Sequence, residues 1–222
     1  MSAAPAALDA ELLQRLGSVS FPTIGHFLED GFLDSGVRSL LGGVRVVGRA
    51  VTVRVAGADA YATNRALAVL KPGDVLVIDT GGDLAHAPVG AVTGCAAQCQ
   101  GAAGIVVDGV VTDIVELREA GLPVFARGTS ILTAKRIAHP RSAVNVPVVC
   151  GGVTVTPGDV VMADDNGVLV LSPAEAAAIV DIALASDRAE PAILDRLRSG
   201  EAIRDVLPGL PPYMAPQDAG RR

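Results

Sequence analysis

The sequence predicts an α/β fold, with strands and helices alternating up to about residue 128. Three observations carry this. Val-rich runs such as VLVIDT (75–80) and GIVVDG (104–109) are separated by Ala-rich runs such as ADAYATNRALAVL (58–70), the pattern of buried strands alternating with helices. Aromatic residues are only 3% of the chain, so the core must be built from Ala, Val, Leu and Ile. Gly- and Pro-containing turns bound each run. At 222 residues, half of them hydrophobic, the chain can bury one large core. No linker divides it. Residues 1–205 read as one domain and 206–222 as a Pro-rich tail.

Residues 8–17 read as an amphipathic helix and 23–30 as a second, started by Ser20 or Thr23. The near-alternating VRVVGRAVTVRVAG (44–57) is a long strand or a hairpin. Residues 58–70 are helical. KPGD (71–74) turns into the strand 75–80, and the Gly- and Pro-rich 81–90 is a loop. Helix 91–100 is followed by strand 104–109, helix 112–121 ended by Gly121, and strand 123–128. After a loop at 129–143 the pattern changes. Residues 145–173 hold at least three short strands, with a second PGD turn at 157–159 and a hairpin turn at DDNG (164–167). Helix 173–187 is capped by Ser172, with Pro173 in its first position, and another helix follows at about 190–199.

The formal charge of −6 argues against a nucleic-acid ligand, which needs a basic patch. Lys135, Arg136, His139 and Arg141 form the single basic run, and it reads as a solvated turn. No apolar run approaches the ~20 residues of a membrane span. The N-terminus lacks a basic leader before an apolar core. With three cysteines, this suggests reduced thiols and a cytoplasmic protein. Cys95 and Cys99, one helical turn apart, read as small packing residues.

The chemistry gathers in 90–113. A loop opening into a helix presents unpaired N–H groups to an anion. Gly90, Ala91, Val92, Thr93 and Gly94 supply that mouth, with Thr93 adding a hydroxyl and Gly94 allowing close backbone approach. Asp108 and Asp113 read as standing on either side of a turn, and the Asp108-Gly109 pair has turn chemistry itself. Asp113 suits a helix N-cap, and equally an Mg²⁺ site, since hard cations keep several waters and need one or two carboxylates. His26, His86 and His139 are too far apart for zinc spacing. His86, in the loop before the mouth, is the best lone candidate for proton transfer. No nucleophile elbow, P-loop or dinucleotide fingerprint is present.

GAVTGCAAQCQGAAGIVVDGVVTDIVELREAGLPVFARGTS (90–130) resembles the RraA-like family, which includes class II 4-hydroxy-4-methyl-2-oxoglutarate and 4-carboxy-4-hydroxy-2-oxoadipate aldolases and regulators of ribonuclease E. NVPVVCGGVTVTPGDVVMADDNGVLVLSP (145–173) resembles its second signature, and the likeness covers roughly 10–200. It implies a β/β/α swivelling fold like the phosphohistidine domains, assembled as trimers or dimers of trimers with sites between protomers. It also implies a divalent metal, Mg²⁺ or Mn²⁺, at Asp113, a neighbouring protomer's carboxylate at Glu190, and a small carboxylate substrate seated on the amides of 92–94. Two positions depart from the aldolases. Thr112 stands where an Arg binds the oxo-acid carboxylate, and Ala91 where an acidic residue belongs. Losing one charged anchor costs about 2–4 kcal/mol. Arg127, at a strand end, is the candidate to replace it, whereas Arg118 points elsewhere. The reading is a metal-dependent lyase for aldol cleavage or decarboxylation. The alternatives are a non-catalytic protein-binding regulator and a member recruited to an unrelated reaction.

Overall fold

A computed structural model describes residues 9–207. Helix α1 (Ala10–Gly17) is capped by the Asp9 carboxylate, which accepts the Leu12 N–H at 2.7 Å. α2 (Phe21–Ile24) is one turn long, preceded by Ser20. The expected helix over 23–30 is therefore shorter and earlier. The chain leaves it to carry Leu33 and Val37 into the inner core and to form a bridge between Phe32 and Leu169. β1 (Arg38–Ser39) follows, an element with no sequence signal.

β2 (Val46–Arg54) is one nine-residue strand rather than a hairpin. Then come α3 (Ala60–Leu67), β3 (Asp74–Asp79), α4 (Ala91–Cys99), β4 (Gly104–Val111), α5 (Ile114–Ala120) and β5 (Val124–Thr129). The second half adds β6 (Ala143–Val144), β7 (Val148–Cys150), β8 (Val153–Val155), β9 (Val160–Asp164), β10 (Gly167–Leu171), α6 (Pro173–Arg198) and α7 (Ile203–Val206).

The main sheet runs β1-β5-β4-β3-β2-β9-β10, with β6 beside β2. β2 to β5 are parallel to one another, while β1, β9 and β10 are antiparallel to their neighbours. The Phe32–Leu169 bridge nearly closes the sheet on itself, and β7–β8 form a separate hairpin.

Three apolar clusters result. Alternate strand residues, including Ala50, Val77, Val106 and Phe125, fill the interior with Leu33 and Cys150 from outside the sheet. Their neighbours, among them Val51, Ile78, Val107 and Ala126, face outward under α3, α4 and α5. Met162, Leu169 and Leu171 face α1, α2 and α6. The period-2 alternation of Val and Ala thus serves both faces, which is why the strands read as continuous apolar runs.

Two further expectations change. The helices expected at 173–187 and 190–199 are one helix, α6, running through Pro191 and started by a Ser172–Glu175 capping box. The DG pair lies inside β4, at a register shift between Val107 and Val110, rather than in a turn. A Cβ at Gly109 would sit 2.8 Å from the Thr80 side chain, so only Gly fits this bulge. Val206 ends α7 and is buried. Residues 208–222 of the expected tail lie outside the described residues. Among the described residues, no helix is long and apolar enough to cross a membrane.

Candidate active site

β4 ends between two loops. Thr112 N–H donates to Val89 O at 2.8 Å, and Ser130 N–H donates to Val111 O at 2.8 Å. The loop before α4 and the loop after β5 thus meet beside residue 112.

Asp113 stands at the N-cap position of α5 but does not cap it. Its backbone is left-handed (φ 52°, ψ 45°), a conformation costing a side-chain-bearing residue about 1–2 kcal/mol. Its Oδ2 instead accepts the Ala91 N–H at 2.9 Å, at the mouth of α4, and Thr112 Oγ1 donates to Oδ1 at 3.3 Å. The twisted backbone turns the carboxylate from its own helix onto the neighbouring one. A Cβ on Gly90 would lie 2.5 Å from Asp113 Oδ2 and 2.7 Å from Thr112 Cγ2. Glycine there is what lets the two segments close.

The α4 mouth is therefore partly filled by the protein's own carboxylate. Gly94 N–H is bonded to Gly90 O at 2.8 Å. The Val92 and Thr93 amides have no acceptor among the described residues, and Val92 is 84% exposed. Gly94 has a packing role: a Cβ there would meet Leu117 Cδ2 of α5 at 2.6 Å. The expected close approach of a ligand at Gly94 gives way to this helix–helix contact.

The other candidates are placed apart from Asp113. Arg127 and Asp108 alternate onto the interior face, opposite α4 and α5. Arg127 Nε donates to Asp108 Oδ1 at 2.5 Å and Nη1 to Asp34 Oδ1 at 2.7 Å, while Asp108 Oδ2 accepts Gly151 N–H at 2.9 Å. These bonds hold the Arg127 guanidinium firmly protonated and push the Asp34 carboxyl below its usual range. The network pins the β7–β8 hairpin to the strand ends. Arg127 is thus committed away from the Asp113 side, and Arg118 Nε donates to Leu40 O at 3.0 Å. Neither supplies the missing cation at Thr112 within one chain.

Glu190 lies on α6 beside Ser18, Arg45 and Arg198, on a different face from Asp113. His86 Nδ1 is 2.7 Å from Asp83 Oδ2, in the loop leading to Gly90. This Asp–His pair was only half legible, since Asp83 read as a loop residue. Asp34 carried no sequence signal, because its partner Arg127 is 93 residues away. Cys95 and Cys99 are exposed free thiols, and Cys150 is buried beside Asp108, its thiol pushed far up by burial. No cluster of three metal-ligating side chains exists among the described residues.

A family model described as RraA-like, Aldolase/RraA, matches residues 22–170. The chain belongs to the RraA-like family. It is 40% identical over 139 residues to a Halalkalibacterium halodurans protein provisionally named a 4-hydroxy-4-methyl-2-oxoglutarate aldolase, a match spanning 63% of this chain and 65% of that one. The chain thus spans just under two thirds of that relative's length. The crystal structure of Streptomyces coelicolor RraAS2, described as an unusual member of the RNase ES inhibitor RraA family, is similar at TM-score 0.73 and 32% identity, covering 86% of this chain and 98% of that one. The RNA-processing inhibitor RraA of Thermus thermophilis is similar at TM-score 0.60 and 31% identity, over 68% and 91% of the two chains. The nearly closed mixed sheet is the RraA-type fold. RraA-like members thus include proteins named for aldol chemistry and proteins named for ribonuclease inhibition.

Proposed function

We propose that the chain is a carbon–carbon lyase acting on a small 2-oxo acid, by aldol cleavage or decarboxylation. The observation that carries this reading is the Asp113 carboxylate, turned off its own helix at a strained backbone and set against the open mouth of α4. Strain of this kind at a site is retained where it orients a reacting group.

The substrate carboxylate sits on the Val92 and Thr93 amides, where the α4 dipole favours negative charge. The Thr112 hydroxyl spends its one proton on Asp113 Oδ1 and so orients that carboxylate, leaving no guanidinium fork at this position for the substrate. The preferred substrate accordingly differs from that of an Arg-bearing aldolase. Asp113, an exposed residue, and Thr112 supply only hard oxygen donors, a set that fits Mg²⁺ or Mn²⁺ with waters completing the shell. Such a cation supplies the Lewis acidity that stabilises developing enolate charge. Glu190 of a second copy is the candidate to bond those waters.

That second copy is part of the reading. Leu84, Val92, Val115, Ile131 and Leu132 are all exposed, on the elements that meet at the site. Exposed apolar side chains around one site suit a contact with another chain. A monomeric mass by light scattering at micromolar concentration would contradict it.

The test is pyruvate release from 4-hydroxy-4-methyl-2-oxoglutarate and from oxaloacetate with Mg²⁺ or Mn²⁺. Asp113→Ala and EDTA are each expected to lower the rate at least about 100-fold. Activity surviving both removes the lyase reading. The committed Arg127 and the neutral Thr112 favour one rival, a regulator like the solved RraA relatives. Metal-independent inhibition of an RNase E-type enzyme, with no pyruvate formed from either substrate, selects it.

A further inference from the structure

A cavity of about 700 Å³ opens at the carboxyl ends of β2 and β3, lined by Arg54, Gly57, Asp79, Gly81, Arg141 and Ser142. Its volume suits a small organic molecule, and α/β sheets place ligands at the carboxyl ends of parallel strands. Arg54 is the register partner of Asp79, yet the two are bonded elsewhere. Asp79 accepts Gly81 N–H at 2.7 Å and Val149 N–H at 3.4 Å, which offsets part of its charge. Arg54 Nη2 donates to Pro147 O at 2.9 Å, leaving most of its five donors unused. Neither the Arg54 nor the Arg141 guanidinium pairs with a carboxylate among the described residues. In a chain with 24 acidic and 18 basic residues, two unpaired guanidiniums on one cavity wall are a local reversal of sign.

The wall is also held in place. Buried Asp59 accepts Ala62 N–H and His139 N–H, each at 2.9 Å, and the Ser142 hydroxyl. Ser142 Oγ accepts Ala56 N–H at 3.1 Å, and Lys135 N–H donates to Ala58 O at 2.7 Å. The backbone of the basic run 135–141 is therefore stitched to the start of α3, while Lys135, Arg136 and Arg141 keep the exposed side chains of a solvated turn. Gly57, at φ 58°, turns the chain beside it.

We propose that this cavity is a second binding site, for a small organic molecule held by a carboxylate or phosphate group set between Arg54 and Arg141. Planar guanidinium forks fit both groups bidentately. The proposal does not depend on the lyase reading.

Calorimetric titration of the full chain with citrate and with glycerol 3-phosphate tests it. At least one probe is expected to bind saturably, one per chain, and the one that binds identifies the charged group. Arg54→Gln and Arg141→Gln each weaken that binding at least about tenfold, and Asp113→Ala leaves it within about twofold. Arg141 is exposed and makes no structural side-chain bond, so its variant keeps the fold even if Arg54→Gln melts early. Absence of saturable binding by either probe, binding unchanged in Arg141→Gln, or binding lost in Asp113→Ala overturns the proposal.

Discussion

At Asp113 a single residue holds two opposed effects. Its left-handed backbone costs about 1–2 kcal/mol, and its bond to Ala91 N–H returns about 1 kcal/mol as a helix cap. Asp113→Gly removes both and is expected to leave stability nearly unchanged. Asp113→Ala keeps the strain without the cap and is expected to lose about 1 kcal/mol in denaturant melts. Equal stabilities for the two variants would show that the backbone there is unstrained. Gly90→Ala forces a methyl to 2.5 Å from Asp113 Oδ2, with an expected loss of about 1–3 kcal/mol. Residue types around 90–113 were readable as an anion mouth and a carboxylate. Which helix Asp113 caps was not, because that depends on the close approach of two segments 22 residues apart.

At the scale of the element, α6 shows where a local rule is overridden. Pro191 has no N–H for the Asp187 carbonyl and crowds the preceding turn, so two helices are the expectation from sequence. The helix continues from a segment that is firmly anchored ahead of Pro191. The Asp187 carboxylate accepts Ser20 N–H at 2.6 Å and the Thr23 hydroxyl, while Ile179, Val180 and Ala183 are buried against α1 and α2. Pro191→Ala is expected to stabilise the protein by about 1–3 kcal/mol, read as a higher melting temperature. A lower one would mean that Pro191 is needed to seat α6. β4 is the converse case: its DG pair has turn chemistry, yet pairing with β3 and β5 on both sides keeps it in the sheet as a bulge.

Across the whole molecule, carboxylates tie loops to neighbouring elements, and buried Asp59 holds 139–142 to the start of α3. Burial raises the Asp59 carboxyl, but the His139 N–H, the Ser142 hydroxyl, the Ala62 N–H and nearby Arg65 together hold it below its ordinary value of 3.8. The folded state therefore binds fewer protons at this site than the unfolded chain. The resulting stability is present above about pH 3.8 and lost as pH falls through the lower folded value. Asp83 and Glu175 are lowered and add the same sign, while burial raises Asp159 and partly offsets them. Melting temperature is expected to fall on acidification below about pH 4, with amide exchange in 135–142 rising first. Asp59→Asn is expected to cost about 2 kcal/mol at neutral pH and to flatten that acid slope; an unaltered slope would remove Asp59 as its source.

Periodicity, turn chemistry and motif spacing made the α/β alternation over 58–128, the family and the residues at the α4 mouth legible before folding is considered. The near closure of the sheet, the binding of Arg127 to Asp34 and Asp108 on the inner face, and the cavity shared by Arg54 and Arg141 emerge only in the folded chain. The reason is physical: strand alternation tells a residue which face it takes, but the partner it meets there is set by chain segments brought close only when the sheet folds round its core.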